Sequence, residues 1–77
     1  MNYGVDTIEL QKKMAEKRIR TIGELSQKCG VNRNTLSDVL NQKTRPSTAV
    51  MYKLATVLEM SPEMAGKIFF AQNLHDT

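Results

Sequence analysis

The stretch from Thr21 to Asn41, TIGELSQKCGVNRNTLSDVLN, constrains the fold of this chain more than any other. Two short amphipathic segments flank a Cys-Gly-Val-Asn corner. In the first, Ile22, Leu25, Ser26 and Cys29 recur at spacings of three and four, which places them on one helical face. In the second, Leu36, Val39 and Leu40 do the same. Each segment carries its own start signal. Thr21, with Glu24 three residues on, forms a capping box: the hydroxyl takes an orphan amide and the carboxylate reaches back. Asn32 is placed to accept from the first amides of the second helix. Gly30 stands where the first helix must stop, and the left-handed residue required there costs least as glycine. The pattern therefore predicts a helix, a three- or four-residue turn containing Gly, and a second helix. That is the signature of a helix-turn-helix unit.

The residues not used for packing carry a second signal. The outer face of the second helix offers Arg33, Asn34, Ser37, Asp38 and Asn41. Arginine matches the major-groove edge of guanine bidentately, and asparagine matches that of adenine. A polar, mostly uncharged, hydrogen-bonding face suits base reading, although any solvated helix shows a polar face. Periodicity by itself establishes the helices and not a ligand.

Composition sets the bounds. Seventy-seven residues allow one domain, spanning 1–77, with a small core at about 6–70. At 40% hydrophobic and 25% charged the chain is globular, and with 5% aromatics its core must be aliphatic. Nothing reads as Val/Ile/Thr alternation with hairpin turns, so an all-α bundle is expected. The net charge of +3 and pI of about 9.3 are compatible with nucleic acid, and interspersed acids argue against an indiscriminate basic tail. Cys29, the one cysteine, falls on an inner helix face as a small hydrophobe, which fits a reducing cytoplasm. No apolar run is long enough for a membrane span, and the N-terminus lacks a signal-peptide pattern.

Along the chain, residues 1–5 read as a short arm. Asp6 and Glu9 form a second capping box that opens a helix running to about Lys17. Leu10 and Met14 face one way along it, while Ile8, Ala15 and Ile19 point elsewhere. Lys12, Lys13, Lys17, Arg18 and Arg20 make a solvated basic cluster that can also lie along a phosphate backbone. Gly23, in the first turn of the first motif helix, leaves room for close approach of a backbone. After Asn41, Pro46 forbids a continuing helix, and Ser47 caps the next one. Its stripe is Met51, Leu54, Ala55 and Leu58, with Val50 and Val57 at the margins. Ser61-Pro62 restarts a last helix, cap first and proline at the first helical position. Met64, Ala65, Ile68 and Phe69 form its apolar side, Phe70 lies beyond, and residues 71–77 read as a frayed tail. The expectation is five helices joined by short loops.

This order of elements resembles the Cro/CI-type helix-turn-helix family, also called the XRE family, of phage and bacterial repressors. The resemblance covers residues 8 to about 70 and rests on ELSQKCGVNRNTLSDVLNQKTRPS and KLATVLEMSPEMAGKIF. Leu25 and Ser26 match the apolar and small residues before the turn. Gly30 and Val31 match the turn, and Leu36 and Val39 match the buried positions of the second helix. Lys43, Arg45, Pro46 and Ser47 match the basic loop, while Leu54, Ala55, Met60 and Ser61 match the family's ending. Two positions depart from the pattern. Ile22 stands where the family often has glutamine. Gln42 stands where it usually has glycine, so Asn41 or Gln42 must end the recognition helix, Asn41 being the better suited.

The resemblance implies a five-helix, lambda-repressor-like bundle that binds double-stranded DNA and regulates transcription, as a repressor. The helix at about 33–41 would enter the major groove. Arg33, Asn34, Ser37 and Asn41 are the candidate base contacts. Thr21, Ile22, Asn32, Thr35, Lys43 and Arg45 are the candidate phosphate contacts, Ile22 through its backbone amide. One recognition helix reads too few base pairs, so a homodimer is expected. Ile68, Phe69, Phe70 and Leu74 are the candidate dimer or partner surface. The rival reading is a protein-interaction module of the same fold, modulating a larger repressor or pairing with a toxin. Catalysis has little to stand on: His75, the one histidine, lies beside Asp76 in the tail, no Cys/His cluster has metal spacing, and the glycines are scattered. No cofactor and no metal are expected.

Overall fold

In the computed structural model, which describes residues 3–72, five helices each begin at a side-chain cap. Asp6 Oδ1 accepts from the Glu9 amide at 3.1 Å and opens α1, Thr7–Glu16. Thr21 Oγ1 accepts from the Glu24 amide at 3.1 Å and opens α2, Ile22–Cys29. Asn32 Oδ1 accepts from the Asn34 amide at 2.7 Å ahead of α3, Arg33–Leu40. Ser47 and Ser61 do the same for Val50 and Met64, opening α4, Thr48–Val57, and α5, Pro62–Phe69. Each cap satisfies one of the amides that a helix start leaves without a partner.

The helix ends follow two designs. Gly30 ends α2 at φ +68°, with its amide donating to the Ser26 carbonyl at 2.8 Å. The other design is a paired 6→1 and 5→2 closure, used after α1, α3 and α4. Ile19 and Arg18 amides donate to the Met14 and Ala15 carbonyls. Lys43 and Gln42 amides donate to Asp38 and Val39, and Met60 and Glu59 amides to Ala55 and Thr56. This is the Schellman geometry, and it needs a left-handed residue. That residue is Arg18, Gln42 or Glu59, at φ 59°, 58° and 53°. Asn41, the residue better suited to that conformation, keeps φ −93°, and Gln42 takes the turn instead. The reason is register: Asn41 still donates to the Ser37 carbonyl and so completes α3.

These turns fold the helices onto one aliphatic core. Leu10 and Met14 come from α1, Leu25 and Cys29 from α2, Leu36 and Val39 from α3, Leu54 and Leu58 from α4 and its cap, and Ile68 and Phe69 from α5. Ile8 is exposed as expected. Ile19, expected to point away, is buried because the left-handed turn at Arg18 swings it back under the end of α1. Met51 and Ala55 are only partly buried, so Leu54 and Leu58 carry the packing of α4. Lys17 and Glu59 pair across the ends of α1 and α4, and the Lys17 ammonium, hydrogen-bonded to Glu59, holds its carboxyl below the usual range.

The chain ends differ from the sequence expectation. Tyr3–Gly4 and Ala71–Gln72 form a two-residue antiparallel pair, β1 with β2, with Tyr3 opposite Gln72. The Asp6 amide adds a 2.7 Å bond to the Ile68 carbonyl, and Val5 is buried between them. The arm and the start of the tail are thus stitched together beside α5. The fold class remains all-α.

Left-handed strain at Gln42 makes one position improvable. Gln42→Gly should raise stability by about 0.5–1 kcal/mol, since relief of ~1–2 kcal/mol of strain is offset by ~0.4–1 kcal/mol of added unfolded-chain entropy. Denaturant unfolding checks it; an unchanged or lower midpoint would contradict the assignment.

Candidate nucleic-acid interface

The geometry of α3 is set from the turn before it. The Ser26 hydroxyl donates to the Val31 carbonyl, while the Ser26 carbonyl receives the Gly30 amide. One residue of α2 therefore holds both sides of the corner. Val31 is buried under it, and Leu36 and Val39, each 1% exposed, anchor α3 to the core. A helix pinned along that stripe must turn its other face outward. Arg33, Asn34 and Asn41 are exposed, and Ser37, Asp38 and Thr35 are partly buried. Ser26 entered the sequence reading only as a small inner-face residue; its hydroxyl bridge has no periodicity signature.

The candidate base contacts form two groups. Asn41 Nδ2 donates to Ser37 Oγ at 3.3 Å, one turn apart, so the C-terminal half of the row is already ordered by its own bond. Arg33 is placed differently. A Cβ on Gly23 would lie 3.9 Å from Arg33 Cζ and 3.7 Å from Thr21 Oγ1. The guanidinium thus rests beside Gly23 in the first turn of α2, at the seam between the two motif helices. Nothing inside the molecule crowds Gly23.

Of the candidate phosphate contacts, Thr21 and Asn32 use their side-chain oxygens as helix caps. Thr35 is partly buried, and Lys43 is exposed just past the end of α3. Arg45 holds its Cζ 5.7 Å from the centre of the Phe70 ring, within cation–π range, so the loop after α3 leans on the end of α5. The basic cluster of α1 divides. Lys12 and Lys13 pair with Glu9 and Glu16 at 3.2 and 3.4 Å, and Lys17 pairs with Glu59. Arg18 and Arg20 instead line a groove that also takes in Gln11, Ile22, Leu40 and Asn41. The sequence offered these two arginines only as part of a run. Their separation from the paired lysines depends on the turn at Arg18.

A second groove, between α2 and α3, is lined by Ile22, Ser26, Asn32, Arg33, Asn34 and Ser37. The two grooves adjoin the two ends of the outward row of α3, with Arg18 and Arg20 in one and Arg33 in the other. Arg20, Arg33 and Lys43 are all exposed around that row.

The dimer or partner surface requires correction. Ile68 and Phe69 are 1% and 2% exposed, because they are the two core anchors of α5, and they are not surface residues. Phe70, at the cap, is 49% exposed. Leu74 lies outside the described residues, as do His75 and Asp76. Among the described residues, an apolar groove lies between α4 and α5, walled by Met51, Ala55, Met60 and Ala65, with Tyr52 and Phe70 at its edges.

Among the described residues, no His/Cys/Asp/Glu group is placed to hold a metal ion, and no helix is long and apolar enough to cross a membrane. The family model of the Cro/C1-type helix-turn-helix DNA-binding domain matches residues 9–63, from the first turn of α1 to the first turn of α5. The chain belongs to this family, and its class is that of a DNA-binding regulator. No match was found among curated proteins or among solved structures.

Proposed function

We propose that this chain is a sequence-specific transcriptional repressor of the cytoplasm, reading the major groove with α3 and gripping phosphates around it. The observation that carries this reading is the outward polar row of a helix pinned by Leu36 and Val39 and oriented by the Ser26 bridge. Asn34, Ser37 and Asn41 would meet base edges along the row, with Arg33 at its leading end. Exposed Lys43, the Arg45 loop, Thr35 and the starts of α2 and α3 at Thr21, Ile22 and Asn32 would meet phosphates, since helix starts present free amides. Asp38, flanking the row, is left to water. A site overlapping a promoter would then exclude polymerase.

The reading includes a homodimer. One helix specifies only a few base pairs against ~10⁶–10⁹ competing sites, and a two-fold site doubles that information at one helical turn, ~34–36 Å. The α4–α5 groove with Tyr52 and Phe70 is the apolar surface that supports it. The same groove favours a second reading, in which it receives another protein.

Two salt concentrations and two duplexes separate the roles. Arg33→Ala should cost about 1–3 kcal/mol on the preferred duplex and relax preference at one base position. Lys43→Ala should weaken all duplexes about equally and lower the salt slope by about 1. A uniform loss for Arg33→Ala would move that guanidinium from base to phosphate.

Sedimentation tests the pairing. The parent should be a dimer that protects a two-fold symmetric site. Phe70→Glu should be monomeric, while Phe70→Leu, which keeps the apolar surface but loses the Arg45 stacking, should remain dimeric. A parent that stays monomeric at high concentration and protects an asymmetric site would contradict the dimer and favour the second reading.

A further inference from the structure

The two grooves beside α3 share one residue. Ile22 lines the groove of Arg18, Arg20, Leu40 and Asn41 on one side, and that of Asn32, Arg33, Asn34 and Ser37 on the other. It therefore stands between the two ends of the outward row. Ile22 is partly buried: some of its side chain packs against the core, and the rest belongs to the surface that DNA would cover. In the first groove it adjoins Met14, Ala15, Ile19 and Leu40 as well as the two arginines, and in the second all its neighbours are polar or cationic.

A hydrocarbon tip in this position neither donates nor accepts a hydrogen bond, so its side chain cannot hold a phosphate. Covered by a polar base edge, it would strip water from that edge and return nothing. One major-groove base edge carries hydrocarbon of its own, the C5-methyl group of thymine. We propose that the Ile22 side chain is a specificity-determining contact to a thymine methyl group, made from α2 beside the bases read by α3. The proposal rests on the reading of α3 as the base-contacting helix and adds to it a contact from the motif's first helix. The Ile22 amide, at the start of α2, stays available to a phosphate. The side chain and backbone of one residue then serve selectivity and grip separately.

The test uses duplexes selected by the parent protein from a random pool. Each thymine is replaced singly by deoxyuridine, which lacks only the methyl group, and binding is titrated with the parent, Ile22→Val and Ile22→Ala. At one thymine per recognition helix the parent should lose roughly fourfold, the worth of one buried methyl group. Ile22→Val should lose less there, and Ile22→Ala less than about twofold, as a coupled pair requires. Melting curves establish that each variant is folded at the titration temperature; should Ile22→Ala fail, the parent and Ile22→Val carry the comparison. A parent indifferent to every methyl group, or variants as sensitive as the parent at the same thymine, would overturn the contact while leaving base reading by α3 intact. A parent that enriches no sequence from the pool would overturn base reading itself, and the Ile22 contact with it.

Discussion

The hydroxyl of Ser26 is the constraint on which the candidate interface depends. It donates to the Val31 carbonyl across the corner, and the Ser26 carbonyl takes the Gly30 amide. Between these bonds the chain reverses with one left-handed glycine and no strained residue. A partly buried carbonyl left without its donor costs about 1–3 kcal/mol, so the corner has little freedom to open. With the corner fixed, Leu36 and Val39 can reach the core in only one rotation of α3. The outward row is then a consequence of burial and not an independent choice.

The other turns spend stability to place charge. Arg18, Gln42 and Glu59 all hold left-handed conformations that glycine would adopt at less cost. Two of the three carry charged side chains that are used: Glu59 pairs with Lys17, and Arg18 enters the groove next to Asn41. Gln42 lies close to β1, its Oε1 3.6 Å from where a Gly4 side chain would begin. The residue after α3 thus lies against the paired chain ends. Arg45 stacked on Phe70 ties the following loop to α5. These contacts hold the segments bordering the interface in place before any ligand arrives, which lowers the ordering cost of binding.

Much of this was legible in the sequence, and the physical reason is locality. All five caps, at Asp6, Thr21, Asn32, Ser47 and Ser61, are signals within three residues, and each side chain makes its bond, although the box at Asp6 is only half formed, its amide donating to the Ile68 carbonyl while Glu9 pairs with Lys12. Gly30 and the Leu36/Val39 stripe are equally local. What escaped depends on longer range or on register. The burial of Ile19 requires knowing that Arg18 turns left-handed. The β1–β2 pair joins residues nearly the whole chain apart and is too short to show alternation. The spacing sets Ile68 and Phe69 on the apolar side of α5 and Phe70 beyond it, but only the packing of α5 shows that the core consumes both and leaves Phe70 at the surface. The Ser26 bridge and the lean of Arg33 against α2 involve side-chain geometry that no spacing encodes.

The central claim is that DNA meets the face made by α2, the corner and α3. The most direct measurement follows backbone amide NMR signals as a selected duplex is added. The account predicts the largest shifts at residues 20–23, 32–37 and 41–45, with the α4–α5 groove around Tyr52 changing only as far as pairing requires. Shifts concentrated at Tyr52, Met60 and Phe70, with α3 unmoved, would contradict it.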